Sequence, residues 1–306
     1  MIPPGCAPAL KKTSRLRAFA KINAGLKILA KRPDGYHEIR TIYQTIALHD
    51  RLKITLAKPG TGIVVECDDP SVPAGRGNLV YRACELWASA LDWHGGIEVQ
   101  IQKRIPLGSG LGGASTDAAA TLLGLERLTR DRLDSSARQK LAATLGSDVP
   151  LFLLGGRVLG CGRGEEVYPL SDLAPRACLV VFPGFAVSTT EAYREAGLRL
   201  TAEAGTAYIG SVGAWPQFPL MGWGPAENDF EPVVFARWPE LARLKRRLIR
   251  AGAEVASLTG SGSAVYALFS SARQLVHASK LIPKGWLLFR TRTLTRPGYH
   301  RKVFVD

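Results

Sequence analysis

The strongest constraint on the fold is a glycine-rich loop that joins a strand pattern to a helix pattern, in the stretch KRIPLGSGLGGASTDAAATLLGLERL at 103–128. Before the loop, apolar and polar residues alternate along IEVQIQ, which predicts a half-buried strand. After it, the run from Ala118 to Leu128 predicts a helix. Glycines permit positive φ and close backbone approach, so N–H groups and the positive helix end can converge on an anion. Taken alone, the loop is compatible with an anion-binding site or with a tight structural turn.

The loop also matches a better-known motif, but only as a pattern. Gly108, Gly110 and Gly113 satisfy G-x-G-x-x-G, the dinucleotide fingerprint. A dinucleotide-binding unit needs a second strand that ends in an acidic residue about 20 residues later, whereas a polar helical segment follows here. No Lys-Ser or Lys-Thr follows the glycines, and the protein-kinase motifs V-A-I-K, H-R-D and D-F-G are absent from the sequence. The loop alone therefore does not identify a nucleotide-binding class.

The composition allows two domains and favours anionic partners. The chain has 306 residues, enough for two hydrophobic cores. Lys and Arg number 40 against 26 Asp and Glu, giving a net charge of +14. This charge favours nucleotides, nucleic acid or an anionic membrane, although a generally basic surface explains it equally well. The arginines are scattered, so a nucleic-acid-binding arm is not indicated.

The cysteines and the chain start predict a cytoplasmic protein. The five cysteines are odd in number and include no C-x-x-C pair, which is typical of reduced thiols rather than of a zinc site or a disulfide framework. Residues 1–15 contain no apolar core of signal-peptide length. The uncharged segment 204–226 is rich in glycine and proline, which argues against a membrane-spanning helix and favours a loop.

Two polar residues mark the first predicted strand. In LRAFAKINAGLKILA, apolar and other residues alternate from Leu16 onward, which places Lys21 and Asn23 on one strand face. On the pattern alone, that face is solvent-exposed. Asp34-Gly35, a hairpin-turn pair, precedes a second strand, IRTIYQTIAL. Lys21 and Asn23 would therefore stand on a strand of a hairpin.

The remaining patterns alternate between strands and helices. A helix predicted to end near Gly146 precedes Asp148 and an apolar turn that contains a proline. Asp148 is compatible with a helix cap or with a catalytic base. A glycine-rich stretch near residues 155–170 predicts the domain boundary. Alternation of this kind predicts an α+β or α/β arrangement on a sheet.

Three separated motifs together resemble the GHMP kinase superfamily: AFAKINAGLKI, PLGSGLGGASTDAAATL and LTGSGSAVYALF. More narrowly, RPDGYHEIRTIYQ, GSDVPLFLLGG and NDFE are similar to the branch of that superfamily whose acceptor is a cytidine-diphosphate-linked methylerythritol. The resemblance extends from about Arg17 to Thr293. The DGYHE and LGSDVP motifs are specific to the branch, whereas the glycine loops are shared across the superfamily.

The resemblance implies an α+β, two-domain GHMP kinase fold, with a ribosomal-protein-S5-like ATP-binding domain at 15–165 and a ferredoxin-like domain at 166–306. It implies transfer of a phosphoryl group from ATP, with Mg²⁺, to the 2-hydroxyl of the cytidine-linked substrate in the non-mevalonate route to isoprenoids. The expected partner is then a small molecule, with neither nucleic acid nor membrane, and no oligomeric state is predicted. Another GHMP kinase, for homoserine, mevalonate or a sugar, is the alternative; nucleic-acid binding is the alternative from a different class.

The resemblance also implies residue roles. Asp148 would accept the hydroxyl proton, with Lys21 as its charged partner. Backbone N–H groups of the loop would contact the phosphates, and a hydroxyl of Ser115 or Thr116 would reach phosphate or Mg²⁺. The residues implied at the ATP site are Lys103, Pro106, Gly108, Ser109, Gly110, Leu111, Gly112, Gly113, Ala114, Ser115 and Thr116.

For the second substrate, Tyr36 would stack on the cytosine and His37 would bind the edge of the base. The full set implied at this end is Asn23, Tyr36, His37, Tyr43, Thr189 and Tyr193. Two positions depart from the family pattern. Ala114 stands where another glycine is common, and the carboxylate of Asp117 would repel ATP unless it is turned away or bridged by Mg²⁺.

Overall fold

The computed structural model describes residues 12–203, 222–223 and 226–305. Two parts of the chain lie outside the described residues: residues 1–11, which include Cys6, and most of the uncharged segment 204–226. The elements, in chain order, are β1 (Thr13–Lys31), β2 (His37–Ala57), β3 (Ile63–Cys67), α1 (Leu79–Ala90), β4 (Gly96–Gln102), α2 (Gly113–Thr129), α3 (Ser135–Leu145), α4 (Val149–Leu154), β5 (Arg157–Cys161), β6 (Glu166–Pro169), β7 (Ala177–Phe182), α5 (Thr189–Glu203), α6 (Glu231–Arg237), α7 (Pro239–Arg250), β8 (Val255–Leu258), β9 (Val265–Phe269), α8 (Ala272–Ser279), β10 (Leu287–Arg292) and α9 (Arg296–Val303).

These strands form two sheets. The first has six strands in the order β3-β4-β2-β5-β6, with β1 paired to β2 along nearly its whole length. The second has four strands in the order β10-β7-β9-β8. The β3–β4 pair is parallel, and the other recorded pairs are antiparallel. The long β1–β2 hairpin carries the motifs AKIN and DGYH at positions fixed by this pairing.

Helix α2, which follows the glycine loop, packs very closely on the first sheet. A Cβ atom at Gly124 would lie 2.5 Å from Ile54 Cδ1 and 2.9 Å from Leu16 Cδ1, so no side chain larger than hydrogen fits there without movement. Around this contact lies the first core, with Trp87, Ile54, Leu122 and Phe152 among its buried residues. The tight packing fixes the start of α2, and therefore the glycine loop, relative to the sheet.

A separate apolar cluster joins the two sheets. It contains Ile22 and Ile46 from the first sheet, Leu111 from the glycine loop, and Val180 and Tyr266 from the second sheet. All of these side chains are fully buried. The two sheets are thus held together directly beneath the loop.

The chain returns to the first sheet at α9. Tyr299 belongs to the first core, and its hydroxyl donates a hydrogen bond to the Phe152 carbonyl at 2.5 Å. Residues 304 and 305 then pair with β1, through the bridge Leu16–Phe304 and the bond from Val305 N to Arg15 O. A domain boundary near residue 165 remains a proposal, and α9 packs on the half of the chain that precedes this boundary.

Two local expectations differ from the structure. The proline-containing turn after Asp148 is helix α4, because Pro150 occupies the first turn, where its missing N–H costs nothing. Lys21 and Asn23 are buried, at 3% and 2% exposure, rather than solvated. The turn between β8 and β9 covers this face of β1: Thr259 Oγ1 lies 3.3 Å from Asn23 Oδ1, and a Cβ atom at Gly260 would lie 3.6 Å from Lys21 Nζ.

Cys67, Cys84, Cys161 and Cys178 are free thiols. Among the helices within the described ranges, none combines the length and the apolar character needed to cross a bilayer.

Candidate active site

A cavity of about 1410 Å³ lies between the glycine loop, the β1–β2 turn and the first turns of α5. Of the residues predicted from sequence, it brings together Lys21, Asn23, Tyr36, His37, Tyr43, Pro106, Gly108, Ser109, Gly110, Leu111, Gly112, Gly113, Ala114, Ser115, Asp148, Thr189 and Tyr193. Lys103 and Thr116 do not line it. Both are buried behind the loop.

Lys21 and Asp148 form the polar centre of the cavity. Lys21 Nζ lies 3.3 Å from Asp148 Oδ2 and donates to Asn23 Oδ1 at 2.7 Å. The Tyr43 hydroxyl donates to Asp148 Oδ1 at 2.9 Å. Burial, followed by the charge of Asp148, raises the pKa of Tyr43 well above its ordinary value, so Tyr43 acts as a donor. The Lys21 side chain is 4% exposed and that of Asp148 29%, so the carboxylate is the accessible member of the pair.

Asp148 occupies the position before α4, where a helix cap was one interpretation of the sequence. Its side chain makes no capping hydrogen bond to α4. The carboxylate instead points to Tyr43 and Lys21, and Asp148 lines the cavity. A capping aspartate would accept hydrogen bonds from the first N–H groups of α4 with its carboxylate oxygens. Since the Asp148 oxygens bond elsewhere, the geometry favours a role in the cavity.

The glycine loop presents the start of α2 to the cavity. Gly108, Gly110 and Gly112 all have positive φ, at 63°, 79° and 76°, a conformation that other residues rarely adopt. Gly112 is the residue before α2, so the N–H groups of the first helical turn, which have no acceptor within a helix, lie at the cavity wall. This arrangement suits a phosphate group.

The third glycine motif, TGSGSA at 259–264, packs against the first. Thr259 Oγ1 donates to Gly110 O at 3.1 Å, and Ala264 N donates to Ser109 O at 3.1 Å. A Cβ atom at Gly110 would lie 2.1 Å from the Thr259 carbonyl oxygen. The two loops are therefore in contact at a point where only glycine fits.

Asp117 is turned away from the cavity. It is the fifth residue of α2, and its Oδ2 accepts a hydrogen bond from Lys103 Nζ at 2.8 Å. Burial raises the pKa of Asp117 to about 7, against the opposing effect of the Lys103 ammonium. Burial alone would lower the pKa of Lys103, but the carboxylates of Asp117 and Asp50 raise it. The expected repulsion between Asp117 and a phosphate is thus reduced by a buried cation.

Aromatic and cationic groups surround the other end of the cavity. The His37 and Tyr193 rings stack at 4.9 Å and 14°. Burial, followed by the charge of Lys31, lowers the pKa of His37, so its imidazole is neutral at pH 7. A neutral imidazole carries one donor and one acceptor. Tyr36 is 55% exposed, with the Arg163 guanidinium 4.7 Å from its ring centre.

Several cavity residues were not predicted from the sequence. They are the cations Lys31, Arg163 and Arg194 and the hydroxyl residues Ser147, Thr190 and Ser261. Ser261 Oγ lies 2.8 Å from Thr189 Oγ1, which links the third glycine motif to α5. Arg163 falls in the glycine-rich stretch that was interpreted as a domain boundary, and no sequence signal distinguishes it from the chain's other scattered arginines. Its position depends on the β5–β6 turn.

No group of three or more His, Cys, Asp or Glu side chains suited to a metal ion occurs among the residues that the structure describes.

Two family models match the chain: "GHMP kinases N terminal domain" at residues 78–156 and "GHMP kinases C terminal" at 220–279. A protein of Solibacter usitatus named 4-diphosphocytidyl-2-C-methyl-D-erythritol kinase is 44% identical over 94% of this chain and 90% of its own length. The protein of the same name in Pelotomaculum thermopropionicum is 39% identical over 90% of this chain and 96% of its own. The chain belongs to the 4-diphosphocytidyl-2-C-methyl-D-erythritol kinase family.

Solved structures agree with this membership. A crystal structure of a kinase of this family, 4-(cytidine 5'-diphospho)-2C-methyl-D-erythritol kinase, matches with a TM-score of 0.72 at 32% identity, over 91% of this chain and 98% of that one. A homoserine kinase from Cytophaga hutchinsonii matches with a TM-score of 0.68 at 19% identity, which shows a shared fold. The predicted α+β, two-domain GHMP kinase fold is confirmed, and the chain is an ATP-dependent small-molecule kinase.

Proposed function

We propose that this kinase transfers the terminal phosphoryl group of ATP to the 2-hydroxyl of 4-diphosphocytidyl-2-C-methyl-D-erythritol, giving the 2-phosphate and ADP in the non-mevalonate isoprenoid pathway. The observation that carries the proposal is one cavity that is lined by the glycine loop, by the rings of His37, Tyr193 and Tyr36, and by Asp148. Family membership supports the same substrate.

Asp148 is the proposed general base. A tertiary alcohol is a weak nucleophile, so a carboxylate must accept its proton as the oxygen attacks phosphorus. Tyr43 and Lys21 hold Asp148 from two sides, at 2.9 and 3.3 Å, which fixes the direction of its free lone pairs. The Lys21 ammonium pairs with the carboxylate and offsets negative charge on the phosphoryl group in transfer. Asn23 orients Lys21 through the 2.7 Å bond to its Oδ1.

The glycine loop is the proposed ATP phosphate site. Backbone N–H groups between Gly108 and Ser115 donate to phosphate oxygens, and the helix α2 dipole adds to their attraction. In protein sites Mg²⁺ usually keeps several waters and is bound through one or two carboxylates and the phosphates of the nucleotide. Of the two hydroxyls predicted to reach phosphate or Mg²⁺, that of Ser115 fits better than that of Thr116, because Ser115 lines the cavity and Thr116 does not. Mg²⁺ would supply charge neutralisation of the phosphates.

The acceptor end suits a cytidine diphosphate. Tyr36 offers an exposed ring for stacking on cytosine, and the neutral His37, held by Tyr193, can bond the edge of the base. Lys31, Arg163 and Arg194 line this cavity and match the two negative charges of a diphosphate. Homoserine, mevalonate and sugars carry no base to stack and no diphosphate, so these residues would have no partner in a kinase for those substrates.

The proposal is tested by measuring ADP release from purified protein, ATP and Mg²⁺ with each acceptor in turn. We expect turnover with 4-diphosphocytidyl-2-C-methyl-D-erythritol and background rates with homoserine, mevalonate and galactose. Removal of Mg²⁺ with a chelator should abolish the turnover. Background rates with the cytidine substrate, or faster turnover with another acceptor, would refute the proposal.

Replacement of Tyr36 by alanine should act on one substrate only. We expect the KM for the cytidine substrate to rise about 5- to 150-fold, because stacking on a base contributes about 1–3 kcal/mol. The KM for ATP should change little. Tyr168→Ala is a matched control, because Tyr168 is 53% exposed, against 55% for Tyr36, and does not line the cavity. Equal increases in both KM values would argue against stacking by Tyr36.

A further inference from the structure

Three charged side chains form a cluster behind the glycine loop, and none of the three lines the cavity. Lys103 Nζ lies 2.5 Å from Asp50 Oδ2 and 2.8 Å from Asp117 Oδ2. The side chains of Lys103, Asp50 and Asp117 are 5%, 0% and 4% exposed. One ammonium thus holds two carboxylates, one on β2 and one on α2, out of contact with solvent.

The cluster joins the two ends of the loop. The second oxygen of Asp50, Oδ1, accepts the backbone N–H groups of Arg104 at 2.5 Å and Ile105 at 2.8 Å, where the chain leaves β4 and enters the loop. Lys103 connects this point to Asp117, in α2, where the chain leaves the loop. The entry and the exit of the loop are therefore tied to the same residue of β2.

The ammonium also lies directly beneath the start of α2. A Cβ atom at Gly113 would be 3.3 Å from Lys103 Nζ. Gly113 is the first residue of α2 and lines the cavity on its other side. Lys103 Nζ is therefore packed against the backbone of the first residue of α2.

The charges of the cluster argue against direct attraction of a phosphate. With both carboxylates ionised the cluster carries a net charge of −1, and with Asp117 protonated it is neutral, so in neither state does the cluster attract ATP. Burying ions is also costly, and such clusters are weak contributors to stability. What the cluster does supply is a fixed geometry, since it specifies the positions of three backbone segments at once.

We propose that Asp50, Lys103 and Asp117 are positioning residues that hold the glycine loop in its phosphate-binding shape before ATP arrives. This inference rests on the proposed ATP site. A loop held in its bound shape loses less conformational freedom on binding, so the cluster raises affinity for ATP without contacting it. Direct contact between Lys103 and ATP is the competing interpretation.

The test compares two buried carboxylates on the same helix. Asp117 and Glu126 each place one oxygen near a cation, with Arg138 Nη1 2.9 Å from Glu126 Oε2. The other oxygen of each, Asp117 Oδ1 and Glu126 Oε1, has no hydrogen-bond partner within the described part of the chain. Asp117→Leu and Glu126→Leu should lower the melting temperature similarly. Titration calorimetry should show ATP Kd raised about tenfold in Asp117→Leu alone, as expected for lost preorganisation.

Asp117→Asn should keep the ATP affinity of the wild-type protein, because the amide oxygen still accepts a hydrogen bond from Lys103 Nζ. The KM of the cytidine substrate should stay within about twofold in all three variants, since the acceptor end is untouched. If Asp117→Leu does not fold, Asp117→Ala provides the same comparison. Unchanged or stronger ATP binding by Asp117→Leu would overturn the inference. Stronger binding would favour direct contact between ATP and Lys103, which that variant frees from one of its two carboxylates. If Glu126→Leu weakened ATP binding as much as Asp117→Leu does, the effect would come from lost stability and not from positioning of the loop. A wild-type protein that binds no ATP would instead refute the proposed function.

Discussion

Asp148→Asn is expected to lower kcat by about 10²- to 10⁴-fold, the usual contribution of a positioned general base. The amide retains the shape of the carboxylate and can still accept the Tyr43 hydrogen bond, so the cavity should keep its geometry. It cannot accept the proton of the acceptor hydroxyl. Affinity for ATP, measured by titration calorimetry, should be nearly unchanged, because the phosphates are expected to contact the glycine loop rather than Asp148.

An exposed aspartate provides the control for this change. Asp131→Asn removes one negative charge from an exposed position outside the cavity and should retain wild-type kcat. Wild-type turnover in Asp148→Asn would remove Asp148 from the mechanism. A large rise in the ATP Kd with unchanged kcat would show that its charge serves nucleotide binding instead.

Gly110→Ala is expected to damage the contact between the two glycine loops. The new Cβ would lie 2.1 Å from the Thr259 carbonyl oxygen, so the loops must separate. The φ of 79° adds a cost of about 1–2 kcal/mol for a residue with a side chain. Because an error of about 1 Å in a substrate-binding element can cost about 10²-fold in rate, we expect a loss of that order in kcat/KM for ATP.

The control separates backbone strain from displacement of the loop. Gly60 has a φ of 87°, and a Cβ there would meet nothing within 4 Å. Gly60→Ala should therefore lower the free energy of unfolding by the strain alone and leave kcat/KM for ATP unchanged. If the two variants behaved alike in both measurements, the contact with Thr259 would be irrelevant to activity.

The sequence was most informative where local patterns determine structure. Alternation before the loop, glycines with positive φ within it and the helix after it all appear in the structure, because each depends on neighbouring residues. The burial of Lys21 and Asn23 was not predicted, since Thr259, which contacts the Asn23 side chain, is 236 positions away in the chain. A contact between residues so far apart in the chain produces no periodic pattern in the sequence.

The cluster behind the loop shows the same limit. Asp117 stood out as a carboxylate next to a phosphate-binding motif, but nothing in the sequence pairs it with Lys103, and Asp50 gave no signal at all. Helix α9 was also missed, because RPGYHRKV contains a proline and a glycine and lacks helical periodicity. Its stability comes from Tyr299, which packs in the first core and bonds to Phe152.

The position of α9 has a consequence for how the chain folds during synthesis. It follows every other described element along the chain, yet it completes the core around β1 and α2, which leave the ribosome first. The first half must therefore wait, with part of its apolar surface uncovered, until the second half has been translated. Contacts of such large sequence separation slow folding, and a chain waiting in this state is a target for chaperones and proteases. Folding of the first half is thus coupled to translation of the chain through residue 303.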